Sequence, residues 1–258
     1  MELDLAGKVA FVSGSSRGIG KAIARSFLSE GACVVVTGRR AESLTQTVGD
    51  FESDFGPGNV LGFQGDLTDP QQISHAVTAT VERWGRVDCL VANIGSGISR
   101  PGWQLDEGDW DSAFEVNIAS SARLVQAALP AMVNEGRGSI IFISSIVGLE
   151  SVNAPLAYSA AKAALVNYSN NLARQLGPQG VRVNCVAPGN ILFAGSSWEE
   201  KLADRREFFE EYVKREVPLQ RFGTPEEVAG LVVFLASDRA SFITGACIVA
   251  DGGQTRGV

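Results

Sequence analysis

Of the three tyrosines in the chain, one opens the run Y-S-A-A-K from Tyr158 to Lys162. On a helix, positions four apart share a face, one turn from each other. A free phenol, with a pKa of about 10, exchanges protons sluggishly at neutral pH. An ammonium one turn away favours the phenolate; lowering the pKa by roughly 3 units takes about 4 kcal/mol of differential stabilisation. Ser145 stands thirteen residues upstream, at the end of the apolar run GSIIFISS. Ligands of parallel α/β sheets gather at the carboxyl ends of strands, so a hydroxyl there faces a crevice. Phenol, ammonium and hydroxyl together suit proton transfer to or from an oxygen on which charge develops, as in carbonyl reduction or alcohol oxidation. A plainer reading of the same helix is a half-buried face, since Leu165, Tyr168, Leu172 and Leu176 continue an apolar stripe.

A second constellation lies near the N-terminus. The run S-G-S-S-R-G-I-G, Ser13 to Gly20, follows the apolar VAFV and precedes KAIARSF. A strand turning into a helix leaves helix N–H groups unpaired, and with the helix dipole they form a site for phosphate. Gly14, Gly18 and Gly20 allow the sharp turn, the approach of a pyrophosphate and close helix-on-strand packing.

The spacing G-x-x-x-G-x-G resembles the T-G-x-x-x-G-x-G motif of the short-chain dehydrogenase/reductase family, with Ser13 keeping the hydroxyl of the threonine. Asn117, Ser145, Tyr158 and Lys162 are similar to that family's Asn-Ser-Tyr-Lys tetrad; Ser144 is adjacent, but the spacing to Tyr158 selects Ser145. Ala92-Asn93-Ile94-Gly95 stands for the family's N-N-A-G, Asp66 for its adenine-side acid, and Pro188-Gly189 for its P-G turn beside the nicotinamide. The resemblance spans about residues 5 to 253. It implies an α/β fold: one Rossmann-type doubly wound domain, with a mostly parallel seven-stranded sheet and helices on both faces.

The resemblance also implies roles. Tyr158 is the general acid or base and Ser145 a hydrogen-bond donor to the substrate oxygen. Lys162 lowers the tyrosine pKa and grips the nicotinamide ribose, and Asn117 fixes a water that relays protons to Lys162. Cofactor contacts are implied at Gly14, Ser16, Arg17, Gly18, Ile19 and Gly20, then at Asp66, Leu67, Asn93 and Gly95. Tyr158, Lys162, Pro188, Gly189 and the backbone of Ile191 complete them. The family's threonine after the P-G turn is missing from NILFAGSS, with Ser196 and Ser197 as substitutes.

Cofactor choice turns on CVVVTGRR. NAD-specific relatives carry an aspartate where this chain has Gly38, and Arg39 and Arg40 follow. A guanidinium presents a planar fork of donors to a phosphate, and cations at a helix N-terminus are unfavourable without an anion nearby. NADP(H) is therefore expected ahead of NAD, held by Arg39 and Arg40 with Arg17 as a second hand.

These residues need a scaffold. Apolar runs recur at 9–12, 33–36, 60–63, 89–92, 139–144, 181–187 and 246–250. Most are too continuous for half-exposed strands and read as strands covered on both faces. Helix-like segments lie between them, at 20–31, 69–85 and 224–238. The last starts with Thr224, Pro225 and Glu227, a capping-box pattern. Alternating β and α units imply a parallel sheet.

The region from Pro188 to Gly223 is the least regular, yet it holds Phe193, Trp198, Phe208, Phe209, Tyr212 and Phe222. Trp198, Leu202, Phe209 and Val213 fall at helical spacing, which suits an amphipathic helix packed on the body, a lid over 190–222, or both. The expected substrate pocket is lined by Ser96, Val147, Asn153, Phe193 and Trp198, with 96–103 along its edge. It suits a partly apolar keto compound, with a 3-oxoacyl thioester, a steroid, a sugar and a small ketone all open. A sugar, steroid or alcohol dehydrogenase using NAD, an epimerase or dehydratase, and a redox-sensing module that binds NADP(H) without turnover are the alternatives.

With 258 residues, 45% of them hydrophobic, the chain is long enough for a continuous core. Its net charge of −7 argues against nucleic acid and anionic membrane as partners. No apolar run approaches the roughly 20 residues of a bilayer span, and MELDLAGKVAF lacks the basic start of a signal peptide. A cytoplasmic location is expected. Cys33, Cys89, Cys185 and Cys247 sit in separate apolar runs and His75 is the single histidine, so neither disulfides nor a metal site is expected. By resemblance, ACIVADGG is a last strand near a subunit contact, which implies a homotetramer.

Overall fold

The computed structural model describes residues 2–257. Seven strands form one sheet: β1 (Val9–Val12), β2 (Cys33–Gly38), β3 (Val60–Gln64), β4 (Cys89–Ala92), β5 (Gly138–Ile143), β6 (Val181–Pro188) and β7 (Cys247–Ala250). The spatial order is β3-β2-β1-β4-β5-β6-β7, and every pairing is parallel. Parallel neighbours require crossovers, which the helices supply. These are α1 (Gly18–Ser29), α2 (Ala41–Phe55), α3 (Pro70–Trp84), α4 (Glu107–Phe114), α5 (Ser120–Asn134), α6 (Leu156–Leu176), α7 (Ser197–Glu216) and α8 (Pro225–Ala236).

Alternation along the strands feeds two cores. Ala10, Val12, Val34, Val36, Ile141 and Ile143 face the side covered by α1 and α8. Phe11, Val35, Leu90, Ile140 and Phe142 face the side carrying Ile73, Leu124, Met132 and Leu165 from α3, α5 and α6. Each fully buried Val, Leu, Ile, Phe or Met side chain among them contributes about 1.5–3 kcal/mol. The inner strands are covered on both faces, but the outer two are not. Val60 of β3 is buried while Gly62 and Gln64 are exposed, and every residue of β7 is only partly buried. An edge strand lacks a neighbour whose crossover helix would cover it.

The helix ends follow from local chemistry. Asp69 caps α3 by accepting from the Gln71 N–H at 2.8 Å, with Pro70 at the first helical position. The Glu227 carboxylate accepts from the Thr224 N–H at 2.9 Å, the return half of the expected capping box of α8. Arg182 closes the other end of α8, donating to the carbonyls of Leu235, Ala236 and Ser237 at 2.8, 3.3 and 3.1 Å.

Two departures from regular helix matter for function. Between α4 and α5 the chain widens into a π turn, Glu115–Ala119, with Asn117 at its centre. In α7, Arg205 has φ −142° and ψ 66°, which breaks into two pieces the continuous amphipathic helix that the apolar spacing implied. All four cysteines are free thiols, and Cys185 of β6 lies in register with Cys247 of β7. No described helix is long and apolar enough to cross a membrane.

Candidate active site

β1 connects outward to β2 on one side while β4 begins the other half, so the strand order reverses beside β1. A crevice opens there at the carboxyl ends of the strands, as expected at a topological switch point. It encloses about 640 Å³ and runs from Arg39 and Asp66 at one end to Tyr158 and Trp198 at the other.

The glycine turn lies beneath the crevice and is braced by hydroxyls. Ser13 Oγ donates to the Val91 carbonyl at 3.1 Å and accepts from the Asn93 N–H at 2.9 Å. Asn93 Nδ2 returns bonds to the carbonyls of Ser13 and Gly14 at 3.0 and 3.1 Å. Asn93 is thus a strut between β4 and the turn, holding it without the first asparagine of the N-N-A-G pattern. Ser15 and Thr37 brace the other flank: Ser15 Oγ accepts from the Thr37 N–H, and Thr37 Oγ1 accepts from the Gly14 N–H, both at 2.9 Å. Neither was singled out from sequence, where a buried hydroxyl at a strand end is the only signal.

The glycines are sterically required. A Cβ at Gly20 would stand 2.3 Å from the Gly14 carbonyl oxygen, and Gly18 has φ +56°. A Cβ at Gly38 would meet Ser16 Oγ at 2.6 Å. Arg39 Nη1 lies 3.8 Å from an Asp66 carboxylate oxygen, while the other Asp66 oxygen accepts from Thr68 Oγ1 at 2.9 Å. Leu67, buried, lines the wall beside them. Open N–H groups at the start of α1, space without Cβ atoms and a cation beside Gly38 fit a dinucleotide carrying a 2′-phosphate.

At the other end, the widened turn carries Asn117 inward. Its Oδ1 accepts from the Ser96 N–H at 3.0 Å, and its Nδ2 donates to the carbonyls of Ser96 and Ala113 at 3.1 and 2.9 Å. Gly95 leaves room for this: a Cβ there would lie 2.9 Å from both Asn117 Oδ1 and Lys162 Nζ. Lys162 is 3% exposed and donates to the Ile143 carbonyl at 2.9 Å. Burial pulls its ammonium pKa down to about 8.

Tyr158 begins the inward face of α6, with Lys162 Nζ 5.9 Å from its ring centroid. Burial pushes the phenol above its ordinary pKa, and a hydrogen bond with Ser145 works against that rise. The direction is opposite to the lowered phenol expected from the lysine, because burial dominates. Both Ser144 and Ser145 line the crevice, but Ser144 Oγ is committed to the Lys162 carbonyl, to which it donates at 3.0 Å.

The structure brings together Asn117, Ser145, Tyr158 and Lys162, with Gly14, Ser16, Arg17, Ile19, Gly20, Pro188, Gly189 and Ile191 along the same crevice. Ile98, from the expected edge segment 96–103, lines it too, as do Ser112 and Val116, which no sequence pattern marks. Four expected residues lie outside the crevice walls, Gly18 among them because the Phe193 ring covers it. Arg40 is exposed at the N-terminus of α2, and Asn153 is exposed on a loop with φ +55°. Val147 stands behind Ser145, its N–H donating to Ser145 Oγ at 3.4 Å.

Two more are placed differently from expectation. Phe193 lies over Gly18 at the phosphate end, because the short segment after the P-G turn crosses the glycine turn. Arg17 donates to the Gly195 carbonyl at 3.0 Å, away from Arg39. Trp198 lines the crevice and also stacks on Tyr212 at 6.0 Å, inside an aromatic cluster with Phe209 and Phe222.

A sequence profile described as Enoyl-(Acyl carrier protein) reductase matches residues 14–255. The 3-oxoacyl-[acyl-carrier-protein] reductase FabG of Thermotoga maritima is 37% identical over 251 residues, covering 96% of this chain and 98% of that one. The chain belongs to the short-chain dehydrogenase/reductase family. Among solved structures of the family, L-sorbose reductase from Gluconobacter frateurii, complexed with NADPH and L-sorbose, superposes with a TM-score of 0.94 at 31% identity over 100% of both chains. A 7α-hydroxysteroid dehydrogenase complexed with NADH and 7-oxo glycochenodeoxycholic acid gives 0.89 at 31% identity, covering 98% and 96%. Relatives of one fold thus act on a sugar and on a steroid, so the family fixes the reaction class more tightly than the substrate.

Proposed function

We propose that the chain is an NADP(H)-dependent reductase of ketones, 3-oxoacyl compounds or similar, working through Asn117, Ser145, Tyr158 and Lys162. The observation that carries this reading is the buried Lys162 ammonium one helical turn from Tyr158, which lines the crevice together with Ser145. Bound reduced nicotinamide supplies the hydride. As negative charge gathers on the carbonyl oxygen, Tyr158 donates its proton there and Ser145 donates a hydrogen bond. Lys162, cationic below about 8, stabilises the phenolate that remains. Asn117 keeps Ser96 and Gly95 in place beneath Lys162, the position from which a relay water would be held.

Arg39 beside Gly38 supports NADP(H) over NAD, since a carboxylate that would repel the 2′-phosphate is missing at Gly38. The substrate end is lined by Ser96, Ile98, Ser112 and Trp198, which suits a partly apolar ketone. A homotetramer is part of the same reading, supported by the fully exposed Phe242 just ahead of the open edge strand β7. The test is oxidation of NADPH and of NADH with a panel of 3-oxoacyl thioesters, keto sugars, ketosteroids and small ketones. Turnover with at least one ketone and preference for NADPH are expected. Tight NADPH binding with no turnover across the panel would favour a redox-sensing module instead.

A further inference from the structure

The loop that leads into α7 is fastened to the glycine turn at two points. The Phe193 ring rests on Gly18, so that a Cβ there would lie 2.5 Å from Phe193 Cε2 and 2.7 Å from Cζ. Two residues on, the Gly195 carbonyl accepts the 3.0 Å bond from Arg17 Nη1. Gly195 itself has φ +77°, and a Cβ would stand 2.9 Å from that same nitrogen, so the guanidinium is seated against bare backbone.

The loop behind these contacts is stiff. Ser196 Oγ accepts from the Phe193 and Glu199 N–H groups at 3.4 and 3.2 Å, and the Glu199 carboxylate accepts from the Gly195 N–H at 2.6 Å. Phe193 is thereby coupled to the first turn of α7. Trp198 in that turn anchors the aromatic cluster with Phe209, Tyr212 and Phe222. What moves the ring moves the lid.

Gly18 is the first residue of α1, next to Ile19 and Gly20 of the crevice wall, and the first N–H groups of a helix have no partner within it. A phosphate oxygen must come within about 2.9 Å of such a group to bond it. A benzene ring lying on Gly18 takes up part of that approach, and it has no donor to offer a phosphate.

We propose that Phe193 gates the cofactor site, and that through it the lid competes with the cofactor's pyrophosphate. With the ring on Gly18 and Arg17 on Gly195, the phosphate end is roofed. The dinucleotide binds by displacing both contacts, so cofactor affinity includes the free energy of undocking the lid. This rests on the reading of the chain as an NADP(H) enzyme. The roofed state lowers apparent affinity in proportion to its population.

The experiment compares two probes by calorimetry: NADPH, and adenosine 2′-monophosphate, which carries the adenosine and its 2′-phosphate but no pyrophosphate. They are titrated into the wild type, Phe193→Ala and Phe193→Leu, each checked for fold by circular dichroism. NADPH affinity is expected to rise about five- to tenfold in Phe193→Ala and less in Phe193→Leu, corresponding to a roof closed in roughly 80–90% of molecules. Adenosine 2′-monophosphate affinity is expected to stay within about twofold in both, the size of an uncoupled site. Unchanged or weaker NADPH binding in both variants overturns the inference and leaves the functional reading intact. Parallel tightening of both probes also overturns it. Failure of the folded wild type to bind either probe overturns the functional reading itself, and the inference with it.

Discussion

Asn117 and Ser96 clasp each other twice, the Ser96 N–H donating to Asn117 Oδ1 at 3.0 Å and Asn117 Nδ2 donating to the Ser96 carbonyl at 3.1 Å. With the third bond to Ala113, the amide is fully committed to backbone. Asn117→Ala strips partners from the part-buried N–H and carbonyl of Ser96 and from the buried carbonyl of Ala113, at about 1–3 kcal/mol in all. A fall in thermal midpoint together with at least a tenfold loss of kcat is expected, measured by calorimetry and NADPH oxidation.

Tyr158→Phe removes the proton donor and leaves the ring in place. Turnover with the best ketone of the panel should drop about 10²–10⁴-fold, the usual value of a positioned acid. NADPH binding, followed by nicotinamide fluorescence, should change little. Wild-type turnover in this variant would remove Tyr158 from the proton step.

The wild-type rate of reduction should fall as pH rises through about 8, where buried Lys162 loses its proton. A rate that stays flat to pH 10 would mean that the charge on Lys162 is not used.

Lys162 also makes stability depend on pH, with a definite sign. Its pKa is near 8 in the fold and an ordinary 10.5 in the unfolded chain, so between these values the unfolded state binds more protons. Stability from this group therefore rises with pH across that window. Lys162→Met, which carries no buried charge, should gain on the wild type most below pH 8, and the gap should narrow toward 10.5. Urea titrations at pH 7 and pH 9.5 measure it.

Arg39 is 77% exposed, and its ion pair with Asp66 is 3.8 Å long. Such a pair contributes about 0–1 kcal/mol to the fold. Arg39→Asp should thus leave stability nearly unchanged while the NADPH-to-NADH ratio of kcat/KM falls about 10–100-fold, the worth of a charge-assisted bond. An unchanged ratio would remove Arg39 from cofactor choice.

The parallel sheet was legible because continuous apolar runs alternating with helical segments have few other solutions. So was the capping pattern of α8, where Thr224, Pro225 and Glu227 act within four residues of one another. Candidate site residues were legible as neighbours where a fixed spacing ties them to one element, as with Tyr158 and Lys162 on α6. Contacts between distant segments were not. FEVNIAS reads as ordinary helix, and its widening around Asn117 depends on packing against Ser96. Phe193 read as a pocket aromatic, because nothing in NILFAGSS says that the loop crosses Gly18. The break at Arg205 and the uncovered edges of β3 and β7 depend in the same way on neighbours that the linear pattern does not name.

The strand order also sets a calendar for biosynthesis. β1, β2, β3 and β4, with the glycine turn and the Asn93 strut, are complete within the first 95 residues. Phe193 and Gly195 leave the ribosome about a hundred residues later. At roughly 5–20 residues per second, a nascent chain spends about five to twenty seconds with its phosphate cradle translated and its own roof not yet made. On the reading proposed above, cellular cofactor has its first opportunity to meet the cradle before the competing lid exists.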